Sequence, residues 1–296
     1  MKDTFESYHP LVNFLYFSLV LGFSMVLVHP LAQLISCICA IYYGVQTEGR
    51  RAVLFSIRFC LPVLLITAFM NPAFNHQGRV ILCYMVTGNP LTLESILYGL
   101  SAGCMLMTVL LWFRSFNRVI TSDKFIYLFG RIIPALSLVL SMTLRFVPKF
   151  KNQMELVMES QKSIGRDISE GSFLQRTKTA VLILSIMITW SLENAIETAD
   201  SMKSRGYGLR GRSAFSIYRF EERDRCAMGW LIFCGIYLLC GCISGGFAFR
   251  YFPSIRMVPF SGHSVTLYGA YLGLCIMPVI LNFTEERKWK ALYLNM

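Results

Sequence analysis

Apolar residues run for close to twenty positions at six places in the 296-residue chain, with the charged residues gathered between the runs. Residues 11–28 (LVNFLYFSLVLGFSMVLV), 30–46, 52–70, 96–113, 227–249 and 265–283 each approach the ~20 residues that a ~30 Å hydrocarbon layer requires. Each is expected to be a membrane-spanning helix, with His29 and Pro30 turning the chain between the first two. The first run lacks a small-residue cleavage site, so it reads as a helix that stays in the protein. Two further runs fit less well. Residues 126–144 (IYLFGRIIPALSLVLSMTL) contain Arg131 and Pro134, and residues 180–190 (AVLILSIMITW) are too few to cross comfortably.

The placement of positive charge decides between topologies. Segment 145–179 carries Arg145, Lys149, Lys151, Lys162, Arg166, Arg176 and Lys178, and segment 203–225 carries Lys203, Arg205, Arg210, Arg212, Arg219, Arg223 and Arg225. Loops 71–95 and 251–264 carry one arginine each, Arg79 and Arg256. If only the six clear runs cross, every basic loop falls on the cytoplasmic side, including those with Arg50/Arg51 and Arg114/Arg118 and the tail with Arg287, Lys288 and Lys290. Counting 126–144 or 180–190 as one crossing breaks that agreement. The expected fold is therefore an all-α polytopic membrane protein of about six transmembrane helices plus a cytoplasm-side helical coupling domain. Residues 1–125 hold helices one to four, 126–225 form the inserted domain, and 226–296 hold helices five and six and the tail. The expected location is the cell membrane, multi-pass, with both termini cytoplasmic.

Composition supports this class. The chain is 55% apolar and only 15% charged, with mean hydropathy +0.52, more apolar surface than a soluble core of this length buries. Its 28 Lys+Arg against 17 Asp+Glu would point to nucleic acid in a soluble domain; here membrane topology accounts for the excess and no nucleic-acid partner is expected. Most of the ten cysteines sit in apolar runs, and Cys37/Cys39 and Cys240/Cys242 are two apart, pointing to different sides of a helix. Neither a disulfide framework nor a metal site is implied, and no cofactor is expected. Gly99/Gly103, Gly241/Gly245 and Gly269/Gly273 are small residues four apart within spans. They fit either internal helix packing or a surface on which a partner slides.

Within 126–225 the pattern changes to amphipathic. Phe150, Met154, Val157 and Ile164 recur at helical spacing among Lys151, Glu155, Glu159 and Lys162, with Gly165 at the end. Leu192, Ile196, Ala199 and Met202 do the same opposite Glu193, Glu197 and Asp200, until Gly206. Acids come first and bases last, as the helix macrodipole favours, so Lys203 and Arg205 either stabilise the last turn and hold it to anionic headgroups or dock another protein.

The block PALSLVLSMTLRFVP (Pro134 to Pro148), then MESQKSIGRD (Met158 to Asp167) and LENAIETADSMKSRGYG (Leu192 to Gly208), resembles the transmembrane T component of energy-coupling-factor transporters. Ala199, Met202, Arg205, Gly206 and Tyr207 match the second of that family's two Ala-Arg-Gly-like helix-end signatures. The first departs from it: Gln161 is followed by Ser163, Ile164 and Gly165, with Arg166 beyond the glycine. The resemblance implies a non-enzymatic subunit that binds two cytoplasmic ABC-type ATPase subunits through the two helix ends. It also implies a membrane-embedded substrate-binding S component, for uptake of a vitamin or metal ion. On that footing Arg205 docks, Gly206 turns the chain, and Ala199 and Met202 fill an apolar groove. Lys203 and Tyr207 flank that contact, and Gln161, Ile164, Gly165 and Arg166 form the first end. Pro134, Arg145, Phe146 and Pro148 belong to the scaffold. The chain has no G-x-x-x-x-G-K-[ST] loop, so ATP chemistry falls to a partner. A self-sufficient secondary transporter would show repeated halves and intramembrane acids. A lipid or isoprenoid enzyme would show clustered catalytic groups at a membrane face.

Overall fold

The computed structural model describes residues 4–84, 90–130, 133–169, 171–209, 218–257 and 262–294; Arg131, Arg210 and Arg212 lie outside the described residues. The chain forms two compact units, Met1–Lys124 with Tyr218–Met296, and Phe125–Ile217. All six expected spans fall on helices of the first unit: α1 (Pro10–Val26), α2 (Pro30–Glu48), α3 (Arg50–Phe55) continued by a π turn at Ser56–Cys60 into α4 (Leu61–Phe74), α5 (Leu93–Val119), α9 (Glu222–Ile243) and α10 (Gly262–Leu294). Short helix α6 (Ser122–Gly130) leads out of the first unit, and α7 (Pro134–Ser163) and α8 (Phe173–Ser204) make most of the second.

The first two helices start alike because each opens on His-Pro. His9 and His29 are the N-caps, and each Nδ1 accepts the backbone N–H two residues on at 3.2 Å. Pro10 and Pro30 take the first helical position, where a missing N–H costs nothing. Glu94, in the first turn of α5, accepts the backbone N–H of Arg79 at 3.2 Å, and Tyr251 donates to Val28 O at 3.2 Å. Two small hairpins, β1 (Ile81–Tyr84) with β2 (Pro90–Thr92) and β3 (Phe249–Arg250) with β4 (Arg256–Met257), are the only strands among the described residues.

The core centres on Trp112 of α5, fully buried against Tyr16 (6.0 Å between ring centroids), Tyr43 (6.2 Å) and Phe17 (6.5 Å). Its indole N–H donates to Ser36 Oγ at 2.9 Å, and Ser101 Oγ donates to Gln33 Oε1 at 2.7 Å. These polar groups of α2 face inward, where hydrocarbon cannot satisfy them. At the far end of the same helices Arg114 pairs with Glu48 and lies over the Phe55 ring at 4.2 Å, while Arg118 reaches Glu48 at 3.6 Å. The Glu48 carboxylate thus ties α2 to α5, and the Arg114 guanidinium extends the contact to α3.

The glycine pairs resolve one by one. A Cβ at Gly99 would stand 2.9 Å from Ala68 O, and one at Gly103 2.8 Å from Leu64 O, so α5 lies backbone to backbone on α4. Gly241 meets Leu267 of α10, but Gly245 lies beyond the end of α9 with φ +75°, which corrects the expected span: the helix stops at Ile243, short of 249. Gly273 faces Trp230, and nothing lies within 4 Å of a Cβ at Gly269.

Among the described residues five helices are long and apolar enough to cross a membrane: Arg50–Phe74, α5, α8, α9 and Gly262–Thr284 of α10; α1 is a shorter apolar helix, and α2, with its inward Gln33 and Ser36, is not among the five. The inclusion of α8 corrects the expectation that 180–190 is too short. Ser172 and Gln175 form a capping box upstream of the apolar run, and helix-compatible residues carry it on through Ser191–Ser204, giving 32 residues in place of eleven. Likewise α7 passes through Pro148 without ending, so the amphipathic stretch 146–163 is the second half of a 30-residue helix.

The charge pattern on both flanks of α8, with Arg176 and Lys178 at one end and Lys203 and Arg205 at the other, predicts that both flanks face the cytoplasm. Cysteines placed at Ser172 and Ser204, in a chain freed of its exposed native cysteines, should both react with an impermeant thiol reagent from the inside only. Reaction of the two from opposite sides would make α8 a crossing.

Candidate coupling-helix ends

The second unit is held together where its long helices cross. Phe146 stacks on Trp190 with centroids 5.8 Å apart, Phe150 adds a ring at 6.4 Å, and Lys149 donates to Asn194 Oδ1 at 3.0 Å while lying 5.7 Å over the same indole. Trp190 and Asn194 were missed by sequence reading; Trp190 stood only as the last letter of an apolar run. Phe146, expected to belong to the scaffold, supplies one of the rings of this contact. Arg145 and Pro148 are exposed on the same helix, and Pro134 opens α7 at its first turn.

From the crossing each helix runs on for fourteen or so residues, about 20 Å at 1.5 Å per residue. Both then stop in the same way. In α7, Gly165 (φ +78°) donates to Lys162 O at 2.9 Å and Arg166 N–H donates to Gln161 O at 2.9 Å. In α8, Gly206 (φ +78°) donates to Lys203 O at 3.0 Å and Tyr207 N–H donates to Met202 O at 3.0 Å. These paired bonds are Schellman closures, which need a left-handed residue and so favour glycine. They also set the two ends in register: Ile164 corresponds to Arg205, Gly165 to Gly206, Arg166 to Tyr207, and Gln161 to Met202. The displaced arginine of the first signature is thus a position two residues further round the turn.

The exposed residues differ from the expected stripes. On α7, Phe146, Phe150, Met154, Val157 and Gln161 are sheltered, while Ile164 is 69% exposed; it sits in the cap, where the helical period no longer applies. On α8 the sheltered side carries Ile183, Met187, Trp190 and Asn194, and the expected stripe of Leu192, Ile196 and Ala199 is exposed, with Met202 half-buried at its end. An amphipathic period identifies an apolar face but not whether the chain itself covers it. Lys203, Arg205, Tyr207 and Arg166 are all exposed, so each end presents apolar and basic groups together.

The connection after the first end is braced by Asp167, which accepts Ser169 N–H at 3.0 Å and pairs with Lys162 at 3.2 Å. The Ser169 bonds, backbone first, and then the Lys162 ammonium hold this carboxyl down to about 2. A depressed carboxylate stabilises the folded turn above the ordinary range near pH ~4 and loses that contribution as pH falls toward the folded value. Arg176 Nε closes the connection on Ile168 O at 2.8 Å.

Comparison with known proteins adds a family to this geometry. The family model described as CbiQ, cobalt transport protein, matches residues 9–216. Similar curated proteins include the energy-coupling factor transporter transmembrane protein EcfT of Lacticaseibacillus paracasei, 37% identical over 109 residues (36% of this chain, 41% of that protein). The protein of the same description from Lactobacillus helveticus is 33% identical over 101 residues (34% and 36%), and that from Streptococcus equi subsp. equi 32% over 111 residues (36% and 41%). The matched stretch spans about two-fifths of these relatives' length.

A side chain at either closing glycine should open its end. Gly165→Ala and Gly206→Ala each force an L-residue into left-handed backbone at about 1–2 kcal/mol, so exchange of the Arg166 or Tyr207 amide should rise roughly 5- to 30-fold. Mass-spectrometric hydrogen exchange resolves this, and unchanged protection at these amides would show that the closures do not hold the ends.

Proposed function

The chain belongs to the CbiQ family of cobalt transport proteins, and on that premise we propose that it is the transmembrane energy-coupling subunit of an energy-coupling-factor importer. In this reading two cytoplasmic ABC-type ATPase subunits bind the glycine-closed ends of α7 and α8. The first unit holds a membrane-embedded S component that carries a vitamin or metal ion. The chain itself is non-catalytic; it converts closure of the ATPase pair into movement of its membrane partner. The observation that carries the reading is the repetition: two long helices of one compact unit, crossed at an aromatic contact, end in matching turns that expose apolar and basic side chains together.

The chemistry of each end suits a partner that moves. Arg205 has a planar, permanently charged guanidinium able to form paired bonds to a carboxylate through a change of angle. Ala199 and Met202, with exposed Leu192 and Ile196, offer an apolar strip along one side of α8. Lys203, two residues before Arg205, points elsewhere and suits anionic headgroups of the surrounding lipid. The first end substitutes Ile164 where the second has Arg205, and Arg166 where the second has Tyr207, so Gln161, Ile164 and Gly165 form a more apolar contact with its charge set further on.

Removing one partner of a charged pair at a dehydrated contact costs ~2–5 kcal/mol, a loss of roughly thirty- to several-thousand-fold in affinity. Arg205→Ala should therefore leave the chain in the membrane while the ATPase pair no longer co-purifies with it. Gly206→Val should do the same by misdirecting the turn, and Lys203→Ala and Arg166→Ala should do less. A pull-down of the ATPase pair with each variant reads the result. Full recovery with Arg205→Ala would return Lys203 and Arg205 to the role of a basic helix end on the membrane.

A further inference from the structure

Beyond Arg50 and Arg51 at its start, the membrane-spanning helix Arg50–Phe74 carries a single charged residue, Arg58. It sits in the π turn Ser56–Cys60, seven positions after Arg51, and both side chains are exposed. The inward positions of this stretch are Ala52, the half-buried Ser56, and Cys60. A π turn is wider than an α turn, so it keeps these three inward at steps of four and leaves Arg51, Leu54 and Arg58 on the outside at steps of three and four. The side chains around Arg58 are apolar: Leu54 is 65% exposed, and Ile57, Phe59 and Leu61 are exposed with it. A guanidinium thus stands on the side of a spanning helix that hydrocarbon covers, where a charge is costly.

Among the described residues no carboxylate pairs with Arg51 or Arg58. The acid at this end of the bundle, Glu48, is already shared by Arg114 and Arg118. Arg50 and Arg51 also open the helix, where the macrodipole disfavours cations, so helix stability does not account for them. Like charges gathered on one surface repel, and a charge against hydrocarbon without a partner loses its solvation. An anion from outside the protein relieves both costs at once.

We infer that Arg51 and Arg58 hold the phosphate of an anionic phospholipid against this face, a site that does not depend on the coupling reading above. Side chains on a helix lean toward its N-terminus, which brings Arg58 back along the ~10 Å of rise that separates it from Arg51 at ~1.5 Å per residue. The long stems let both guanidinium groups reach the headgroup layer while their methylenes stay among apolar neighbours. Each planar fork then offers paired donors to phosphate oxygens. The surface favours a lipid over an acidic stretch of protein. Leu54, Ile57, Phe59 and Leu61 give acyl chains an apolar bed on either side of Arg58 and give a polypeptide backbone no hydrogen-bond partner.

Native mass spectrometry of the full chain, released from detergent micelles, tests this with dioleoylphosphatidylglycerol and dioleoylphosphatidylcholine offered together in equal amounts. The wild-type chain should retain phosphatidylglycerol in preference. Arg51→Gln and Arg58→Gln should each cut that preference about fivefold, the equivalent of ~1 kcal/mol for one basic residue at a lipid surface. Arg58→Lys should keep most of it, and Arg79→Gln, at an exposed arginine between α4 and α5, should leave it unchanged. Thermal melting of the glutamine variants in phosphatidylcholine that matches wild type shows that they are folded. A wild-type chain that holds both lipids equally would overturn the inference with no variant needed, and would leave the two arginines to an acidic protein partner. An undiminished preference in Arg58→Gln would overturn it too, as would a loss with Arg79→Gln equal to that with Arg58→Gln, the mark of general attraction. Displacement of phosphatidylglycerol by inorganic phosphate at the same concentration would overturn the lipid as the source of the anion.

Discussion

Every helix leaves four N–H groups at its start and four carbonyls at its end without partners, and a hydrocarbon layer offers none. This constraint shapes both units. His9 and His29 satisfy the starts of α1 and α2 with an imidazole nitrogen each. Val119 O at the end of α5 takes the Lys124 ammonium, and the ends of α7, α8 and α9 fold back on themselves through glycine. Inside the bundle such ends must be closed by the protein itself, and the exposed ends of α7 and α8 are closed by their own backbone hydrogen bonds. Ends of defined shape are also what a subunit needs if other proteins are to push on it.

The two units meet the constraint differently. In the first, buried side chains do the work: Gln33, Ser36, Asn13, Asp224 and Asn282 are all inside, each within reach of another polar group. Close backbone contact at Gly99 and Gly103 takes the place of a hydrophobic driving force, which is weak between helices in lipid. The second unit has little buried surface of its own. Ile183 and Met187 are the buried residues of α8, and one aromatic crossing holds it to α7. Beyond that crossing the helices carry exposed apolar residues. Covering such a surface is a reason to bind, and leaving it uncovered is a reason for the free unit to be the less stable of the two.

The membrane helices were legible because hydrocarbon thickness imposes a run length that few other structures share. The stopping points at Gly165 and Gly206 were legible too, since glycine after a basic last turn is the local chemistry of a helix end. Continuity was not. Pro148 and the charges around 145–151 and 175–178 look like interruptions, yet a helix can pass through a proline and carry charges on an exposed side. Ile164 sits in the cap of α7, one step past the last helical residue, so the period of Phe150, Met154 and Val157 no longer fixes its direction. Lys124 and Asp224 gave no signal whatever. Each meets a backbone group far along the chain, 118 and 215 residues away, and backbone groups carry no letter in a sequence.

The central claim is that the ends of α7 and α8, and not the membrane bundle, are the surfaces that ATPase subunits grasp. A photo-crosslinking residue placed in turn at Ile164, at Tyr207 and at Ile243, all exposed, tests it in membranes that contain the assembled transporter. Ile164 and Tyr207 should each form a covalent adduct with an ATPase subunit, and Ile243, at the end of α9 in the first unit, should form none. Adducts of Ile164 and Tyr207 with lipid alone, in membranes where the ATPase pair is present, would contradict the account.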